Sequence, residues 1–229
     1  MPEAAKAGAS TARVVVFDFD GVIVRGDSFE AFLRWRLRQQ PWRLLPVLPL
    51  LPFVPLLLAT AAGKGWLARV FTRVALVGMD RARFRAAIAA FAARFAADPA
   101  HFHADALAQL RRHREAGDRV IVCSATERQL LTALLLALGL GEVERIGSHV
   151  DVSRWGLRVV WHNYGATKPQ ALLRHCGLRR WHIAYSDAWS DLPLLRGADE
   201  AAVLVNAPQA LVERLAQRLG ERLRTVTWN

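Results

Sequence analysis

Four short apolar runs stand out along the chain, each ending in polar groups: RVVVFDFD (13 to 20), RVIVCSAT (119 to 126), HIAYSD (182 to 187) and AAVLVN (201 to 206). They are rich in β-branched and aromatic residues and apolar on both faces, the pattern of strands buried within a parallel sheet. Helical periodicity lies between them, so the chain alternates strand and helix and predicts an α/β fold with a parallel sheet and crossover helices on both faces. A different pattern, HVDVSRWGLRVVW (149 to 161), alternates on either side of Arg154 to Gly156 and predicts a hairpin attached to that sheet.

The first two runs are separated by about a hundred residues, far more than one crossover helix needs, so a helical unit is inserted there. Asp27 and Glu30 have capping-box spacing, and Phe29, Phe32, Leu33, Leu37 and Gln40 follow at helical spacing. Next comes LLPVLPLLPFVPLLLATAAG (44 to 63), an uncharged stretch with Pro46, Pro49, Pro52 and Pro55 inside it. Trp66, Leu67, Val70, Phe71, Val74 and Val77 then form an apolar stripe with Arg69 and Arg73 on another face, and an alanine-rich helix is expected over residues 82 to 97. The organisation expected is an α/β core, residues 1–24 and 115–229, with a helical insertion, residues 25–114.

Charge sharpens this division. The formal net charge is +11, and residues 25 to 114 hold fifteen Lys/Arg against five Asp/Glu, an excess of ten. The flanking stretches hold two against three and fourteen against twelve. Arginine outnumbers lysine 28 to 3, yet a general arginine bias does not exclude acids from one stretch. The insertion is therefore expected to face something anionic, lipid or nucleic acid. Cys123 and Cys176 have no CxxC spacing, which speaks against a disulfide framework or zinc site and for a reducing compartment. The first thirteen residues lack the apolar run of a signal peptide, so a cytosolic face is expected.

Ligands of parallel α/β sheets bind beyond the carboxyl ends of the strands. The groups expected there all suit phosphate: Asp18, Asp20 and Gly21 at the end of the first run, Ser124 at the end of the second strand, followed directly by a helix whose N-terminus also favours an anion, and Asp187 with Asp191 after the third run. Lys168 precedes Pro169, which favours the first turn of a helix and puts Lys168 at its entrance. Taken singly, these are ordinary turns, caps and solvated side chains. Together, on one sheet edge, they are hard to assign to caps and turns independently. His101 and His103 form an HxH pair without a third ligand nearby and are expected to be surface helix residues rather than a metal site.

This set resembles the haloacid dehalogenase-like hydrolase superfamily, in its phosphatase branch. DFDGVI, Ser124 in VIVCSAT, Lys168 and YSDAWSD stand where the four signature motifs of that family stand, over about residues 1 to 24 and 115 to 206. Phosphoserine-phosphatase-like members commonly carry GDxxND in the fourth motif; here Ser186 and Ser190 replace its glycine and asparagine, so Asp187 and Asp191 are kept but the phosphoserine pattern is not. The resemblance implies a Rossmannoid core and Mg²⁺-dependent phosphomonoester hydrolysis. Asp18 is the implied nucleophile and Asp20 the general acid and base. Asp18, Asp20 through its carbonyl, and Asp187 are the implied metal ligands; the Gly21 N–H, Ser124 and Lys168 the implied phosphate contacts; Asp191 the implied orienter of Lys168 and of the metal's surroundings. A cation is chemically reasonable there, because an anionic carboxylate approaches an anionic phosphate only when positive charge neutralises both.

The cap resemblance goes further. FLRWRLRQQPWRLLPVLPLLPFVPLLL is similar to the corresponding stretch of the phosphatidylglycerophosphatase C family of the bacterial inner membrane. Residues 44 to 63, as one straight helix, would span about 30 Å, the thickness of a bilayer core. Interior prolines oppose a straight helix, and one crossing would separate Asp18 from Ser124, Lys168 and Asp187. The expectation is a broken, re-entrant or interfacial hairpin with both ends on the cytoplasmic face. Its basic flanks agree with this, and Trp35, Trp42 and Trp66 are placed as an interfacial belt. The implied partners are a phospholipid substrate and an anionic membrane surface, and no nucleic acid, for which no motif is visible. The alternatives are a soluble phosphatase of small metabolites with the apolar run buried, and a non-catalytic basic scaffold.

Overall fold

In a computed structural model of the chain, β1, Val14–Phe17, occupies the middle of a seven-stranded sheet of order β4-β3-β2-β1-β5-β6-β7. Residues 12–153 and 156–229 are described; the polar stretch up to residue 11, and Arg154 and Trp155, where the sequence predicts the turn of the hairpin, lie outside them. The other strands are β2, Arg119–Glu127; β3, Glu144–Ser153; β4, Gly156–Trp161; β5, Trp181–Ser186; β6, Ala198–Val205; and β7, Leu223–Val226. All neighbours are parallel except β3 and β4, which form the expected hairpin. The chain leaves β1 toward β2 on one side and later returns to β5 on the other, so the carboxyl end of β1 faces a topological switch point.

Alternation along β1 explains its burial on both sides. Val15 and Phe17 join a core packed against α1, Ser28–Gln39; α4, Arg81–Ala96; α5, Ala104–Glu115; and α6, Arg128–Ala137. Val16 points the other way, into a core beneath α7, Thr167–Cys176; α8, Leu192–Arg196; and α9, Gln209–Leu219. Two labels remain inside the insertion: α2, Val54–Leu58, and α3, Ala61–Leu76.

The proline-rich stretch takes a form the sequence reading did not anticipate. Pro41–Phe53 is a 3-10 helix, continued by α2. With three residues per turn, Pro46, Pro49 and Pro52 fall in one row, so the lost N–H groups remove one column of hydrogen bonds and leave the others. Leu44, Val47 and Leu50 form a half-buried second row, and Leu45, Leu48 and Leu51 an exposed third. The chain reverses at Ala59 and Thr60, where the Thr60 hydroxyl accepts from the Gly63 N–H at 3.0 Å, and α3 runs back. A Cβ on Gly63 would lie 2.1 Å from the Leu57 carbonyl, so this reversal needs glycine there. Pro41–Leu58 is the one stretch among the described residues long and apolar enough to cross a membrane, and only Arg43 within it is buried.

The alternative in which the apolar run is buried does not hold: Leu45, Leu51 and Leu56 are 62, 61 and 71% exposed. Other expectations change. Trp35 stacks on Phe32 within the insertion, so of the three expected belt residues Trp42 and Trp66 flank the exposed arm. α5, at the end of the expected insertion, is fastened to the sheet, where His113 bonds the Tyr185 hydroxyl at 3.0 Å and Asp118 at 2.7 Å. His101 and His103 lie in a short 3-10 turn and at the N-cap of α5, and His103 is buried, so they are not surface helix residues.

Candidate active site

β1 delivers Asp18 to the centre of the sheet edge, and pairing with β5 extends to it through the Asp18 N–H and the Tyr185 carbonyl, 2.9 Å. The Asp18 Oδ1 accepts from the Phe19 N–H at 2.7 Å and the Oδ2 lies 2.9 Å from Lys168 Nζ. Lys168 sits in the first turn of α7, one residue inside its start, and reaches Asp191 Oδ2 at 2.7 Å. Ser186, at the end of β5, donates its hydroxyl to the same Asp191 oxygen at 2.8 Å. Asp18, Lys168, Ser186 and Asp191 thus form one buried chain of charge and hydrogen bonds.

Burial pushes the Asp18 carboxyl well above its ordinary value, with Asp191 adding to the rise and Lys168 opposing it. Burial works against the charge on Lys168, but Asp18 and Asp191 more than reverse it and hold the ammonium protonated. Burial also raises Asp187, with Asp191 adding to it. Three carboxylates, Asp18, Asp187 and Asp191, therefore stand against one ammonium.

Gly21 makes room for Asp187. Its φ is +75°, and a Cβ there would sit 2.0 Å from Asp187 Oδ2, so only glycine admits this carboxylate. The expected role of its N–H does not hold. That group donates within the loop to the carbonyls of Val24, 2.8 Å, and Gly26, 3.2 Å, because residues 19–24 fold back into a tight turn. No hydrogen bond takes up the Asp20 N–H among the described residues, which leaves that group for an anion.

The Asp20 carboxylate is turned away from this cluster. Its Oδ1 accepts from the Ser28 N–H at 2.8 Å, its Oδ2 accepts from the Thr126 hydroxyl, and the Ser28 and Thr126 hydroxyls are 3.1 Å apart. Burial, and then Asp27, push Asp20 up to about 6 despite these bonds. A carboxyl in that range gives and takes a proton readily near neutrality. Ser28 and Thr126 were not among the expected site residues. Thr126 had a signal, since it stands two residues beyond Ser124 and shares its face of the strand.

Ser124 is fully buried and lies within β2 rather than at its end; the strand continues to Glu127, which caps α6 through the Leu130 N–H at 2.9 Å. The helix expected to follow Ser124 directly therefore starts four residues later. Ser124 Oγ accepts from the Thr126 N–H at 3.1 Å, leaving its own proton to donate. Asn163 fastens this segment, its side-chain amide reaching the carbonyls of Ser124, 3.0 Å, and Ile146, 3.2 Å. Asp20 and Thr126 open onto a cavity of about 180 Å³ walled by Phe29 and by Val150, Leu157 and Val159 of the β3-β4 hairpin.

No group of three or more His, Cys, Asp or Glu side chains able to hold a metal occurs among the described residues. The implied Mg²⁺ set asks for only two, Asp18 and Asp187, plus the Asp20 carbonyl. That suits an ion that takes hard oxygen donors and keeps much of its water. The excess of carboxylate over ammonium and the unpartnered, buried Asp191 Oδ1 both fit a cation beside them.

Comparison with known proteins agrees with this architecture. The chain is 31% identical over 195 residues to Protein CicA of Caulobacter vibrioides, covering 82% of this chain and 83% of that protein. Its fold is similar to that of a protein of unknown function from Bordetella pertussis Tohama I, with a TM-score of 0.64, 18% identity and coverage of 93% and 98% of the two chains. It is also similar to a substrate-bound phosphoserine phosphatase, with a TM-score of 0.56, 15% identity and coverage of 93% and 92%. Residues 15–196 match the haloacid dehalogenase-like hydrolase family, and the chain belongs to that family.

Proposed function

We propose that this hydrolase is a Mg²⁺-dependent phosphomonoesterase that converts phosphatidylglycerophosphate to phosphatidylglycerol at the cytosolic face of a bacterial inner membrane. The observation that carries the reaction is the placement of Asp18 against Lys168 at 2.9 Å, with Asp20 held separately by Ser28 and Thr126. Asp18 attacks phosphorus in line and forms an aspartyl phosphate as the ester P–O bond breaks. Asp20 protonates the departing alkoxide. It then takes a proton from the water that cleaves the aspartyl phosphate, which returns Asp18 as a carboxylate. Lys168, the Ser124 hydroxyl and the Asp20 N–H face the phosphoryl oxygens, and Asp191 with Ser186 fixes Lys168.

Asp18, the Asp20 carbonyl and Asp187 would hold Mg²⁺. When bound, Mg²⁺ supplies the positive charge that lets a carboxylate approach a phosphate.

The lipid part of the reading rests on the arm formed by the 3-10 helix and α2. It leaves and returns on the same side of the protein, exposes leucines along its length, and is flanked by Trp42 and Trp66 and by the basic cap. Such an arm would enter a bilayer as a hairpin and keep the site at head-group level, where the terminal phosphate of the lipid lies.

Phosphate release from phosphatidylglycerophosphate, measured in detergent beside phosphoserine, tests the proposal. The lipid should be hydrolysed faster, in Mg²⁺ and not in chelator, and Ca²⁺ should not restore activity. Hydrolysis of phosphoserine alone would identify a soluble-metabolite phosphatase instead, and full activity in chelator would refute the metal requirement.

A further inference from the structure

A cavity of about 600 Å³ opens at the base of the exposed arm, lined among others by Arg36, Trp42, Arg43, Val77, Met79 and Arg83. Arg36 comes from the last turn of α1, eight residues after Ser28 and so about 12 Å along the helix from the residue that holds Asp20. The cavity is thus separate from the catalytic cluster. None of the residues lining it is acidic.

Its two inner arginines, Arg36 and Arg43, have no acidic partner among the described residues. Arg43 is buried and its donors go to neutral acceptors: Gln40 Oε1 at 2.6 Å and the carbonyls of Val74 and Val77 at 3.0 and 2.7 Å. Arg36 has no ion pair or side-chain hydrogen bond among the described residues, and its Nε is buried without a partner. Burial lowers the affinity of both guanidinium groups for their protons, and Arg43 adds to the effect on Arg36. Arg83 stands at the rim, 73% exposed, with Asp80 at 3.6 Å outside the cavity. The contrast is a larger hollow of about 840 Å³ around Trp35, where Asp27, Glu30 and Asp98 line the wall beside the arginines. An orphaned buried donor and two like charges drawn together without a carboxylate call for an anion.

We propose that this cavity is a second anion site that takes the phosphodiester of a glycerophospholipid head group while the arm beside it is seated in the membrane. The proposal rests on the membrane reading above. Trp42 is both a wall of the cavity and the second residue of the 3-10 helix, so a phosphate held there lies at the level where the apolar arm begins. The site would tie the insertion to an anionic leaflet at a fixed depth, with Arg36 as the half-buried donor and Arg83 as the exposed one.

The test compares the full chain with an Arg36→Gln, Arg83→Gln double variant. An Arg111→Gln, Arg174→Gln double variant removes the same charge from exposed positions on the core. Far-UV circular dichroism and thermal melts establish that each is folded; Arg83→Gln alone, at an exposed position, serves if the double variant is not. Flotation with phosphatidylcholine vesicles, with and without about a third phosphatidylglycerol, probes the lipid. Calorimetry with glycerophosphoglycerol and with inorganic phosphate probes the soluble sources.

The cavity variant should lose affinity for the anionic vesicles by about thirty-fold, the worth of two basic residues at such a surface, and the core variant by under about three-fold. Neutral vesicles should bind all forms alike, and glycerophosphoglycerol should bind the intact chain but not the cavity variant. Equal losses in both variants, or a cavity variant that behaves as the intact chain, would overturn the site. Cavity-dependent binding of inorganic phosphate without the diester would make free phosphate the occupant and overturn the lipid assignment. If no form binds any vesicle yet the diester still requires Arg36 and Arg83, the anion site stands and the membrane reading falls.

Discussion

β1 and the 3-10 arm are both short apolar runs, and they meet opposite fates. Val15, Val16 and Phe17 are 0% exposed, whereas Leu45, Leu48, Leu51 and Leu56 stand 49 to 71% exposed. β1 has a hydrogen-bonded strand on each edge and a layer of helices on each face. The arm has one row packed and two rows bare, because a proline at every third residue winds it into a three-sided rod and only one side finds a neighbour. Hydrophobicity says that water is disfavoured; it does not say what replaces the water. A continuous exposed apolar surface of this kind marks an interaction site far more often than a scattered leucine does.

The comparison also separates chemistry from attachment, and the largest expected effect tests that separation. Asp18→Asn should lower kcat on any phosphomonoester by at least about 10⁴-fold, the scale of a lost nucleophile, while vesicle binding is unchanged. Steady-state assays and flotation on the same preparation check both halves. Residual turnover above about one per cent would remove Asp18 from the covalent role.

The next effect breaks the comparison on stability. Val16→Asp buries an unpaired carboxylate between β1 and its helices and should cost more than about 4 kcal/mol, abolishing the cooperative melt. Leu48→Asp with Leu51→Asp, on the bare row, should leave Tm within about 2 °C, as surface changes do. The same pair should weaken vesicle binding by roughly a hundred-fold or more, the burial energy of two leucines. A large drop in Tm from the arm variant would mean that the arm is packed against protein after all.

The smallest effect concerns a polar group in the buried half. Burial raises the carboxyl of Glu127, despite the bonds it accepts at the start of α6. A carboxyl raised on folding keeps its proton longer in the folded state, so stability is full below the ordinary carboxylate range and falls as pH rises through it toward the folded value. Glu127→Gln keeps an oxygen for the Leu130 N–H without the charge. It should melt slightly above the intact chain at pH 7, with the difference closing toward pH 4; a lower Tm at pH 7 would show that the charge stabilises the cap.

The strands that form the catalytic edge were legible because central parallel strands are apolar on both faces and end abruptly in polar residues. β7, Leu223–Val226, escaped notice because it is short, lies at the sheet edge and carries exposed Arg224 and Thr225. Asp18, Lys168 and Asp191 were legible as strand-end and helix-start groups, and the structure brings them within hydrogen-bonding reach. The clamp on Asp20 was not. Ser28 and Thr126 are 98 residues apart, and only closure of the fold puts their hydroxyls together. The Gly21 N–H looked available because a sequence does not show how tightly a turn folds back on itself. α5 falls on the insertion side of the expected boundary because it is basic like the insertion, while its buried face, with His113 against Tyr185, packs it on the sheet.

The central claim joins a residue to a substrate, and one measurement addresses both. The intact chain would be mixed with phosphatidylglycerophosphate and Mg²⁺, quenched in acid during the first turnover, digested and analysed by mass spectrometry. The account predicts one phosphoryl group on the peptide bearing Asp18, absent in chelator, absent when the lipid is replaced by its dephosphorylated product, and lost on longer incubation. Phosphate released from the lipid with no modification of that peptide, or a phosphoryl group carried by any other residue, would contradict it.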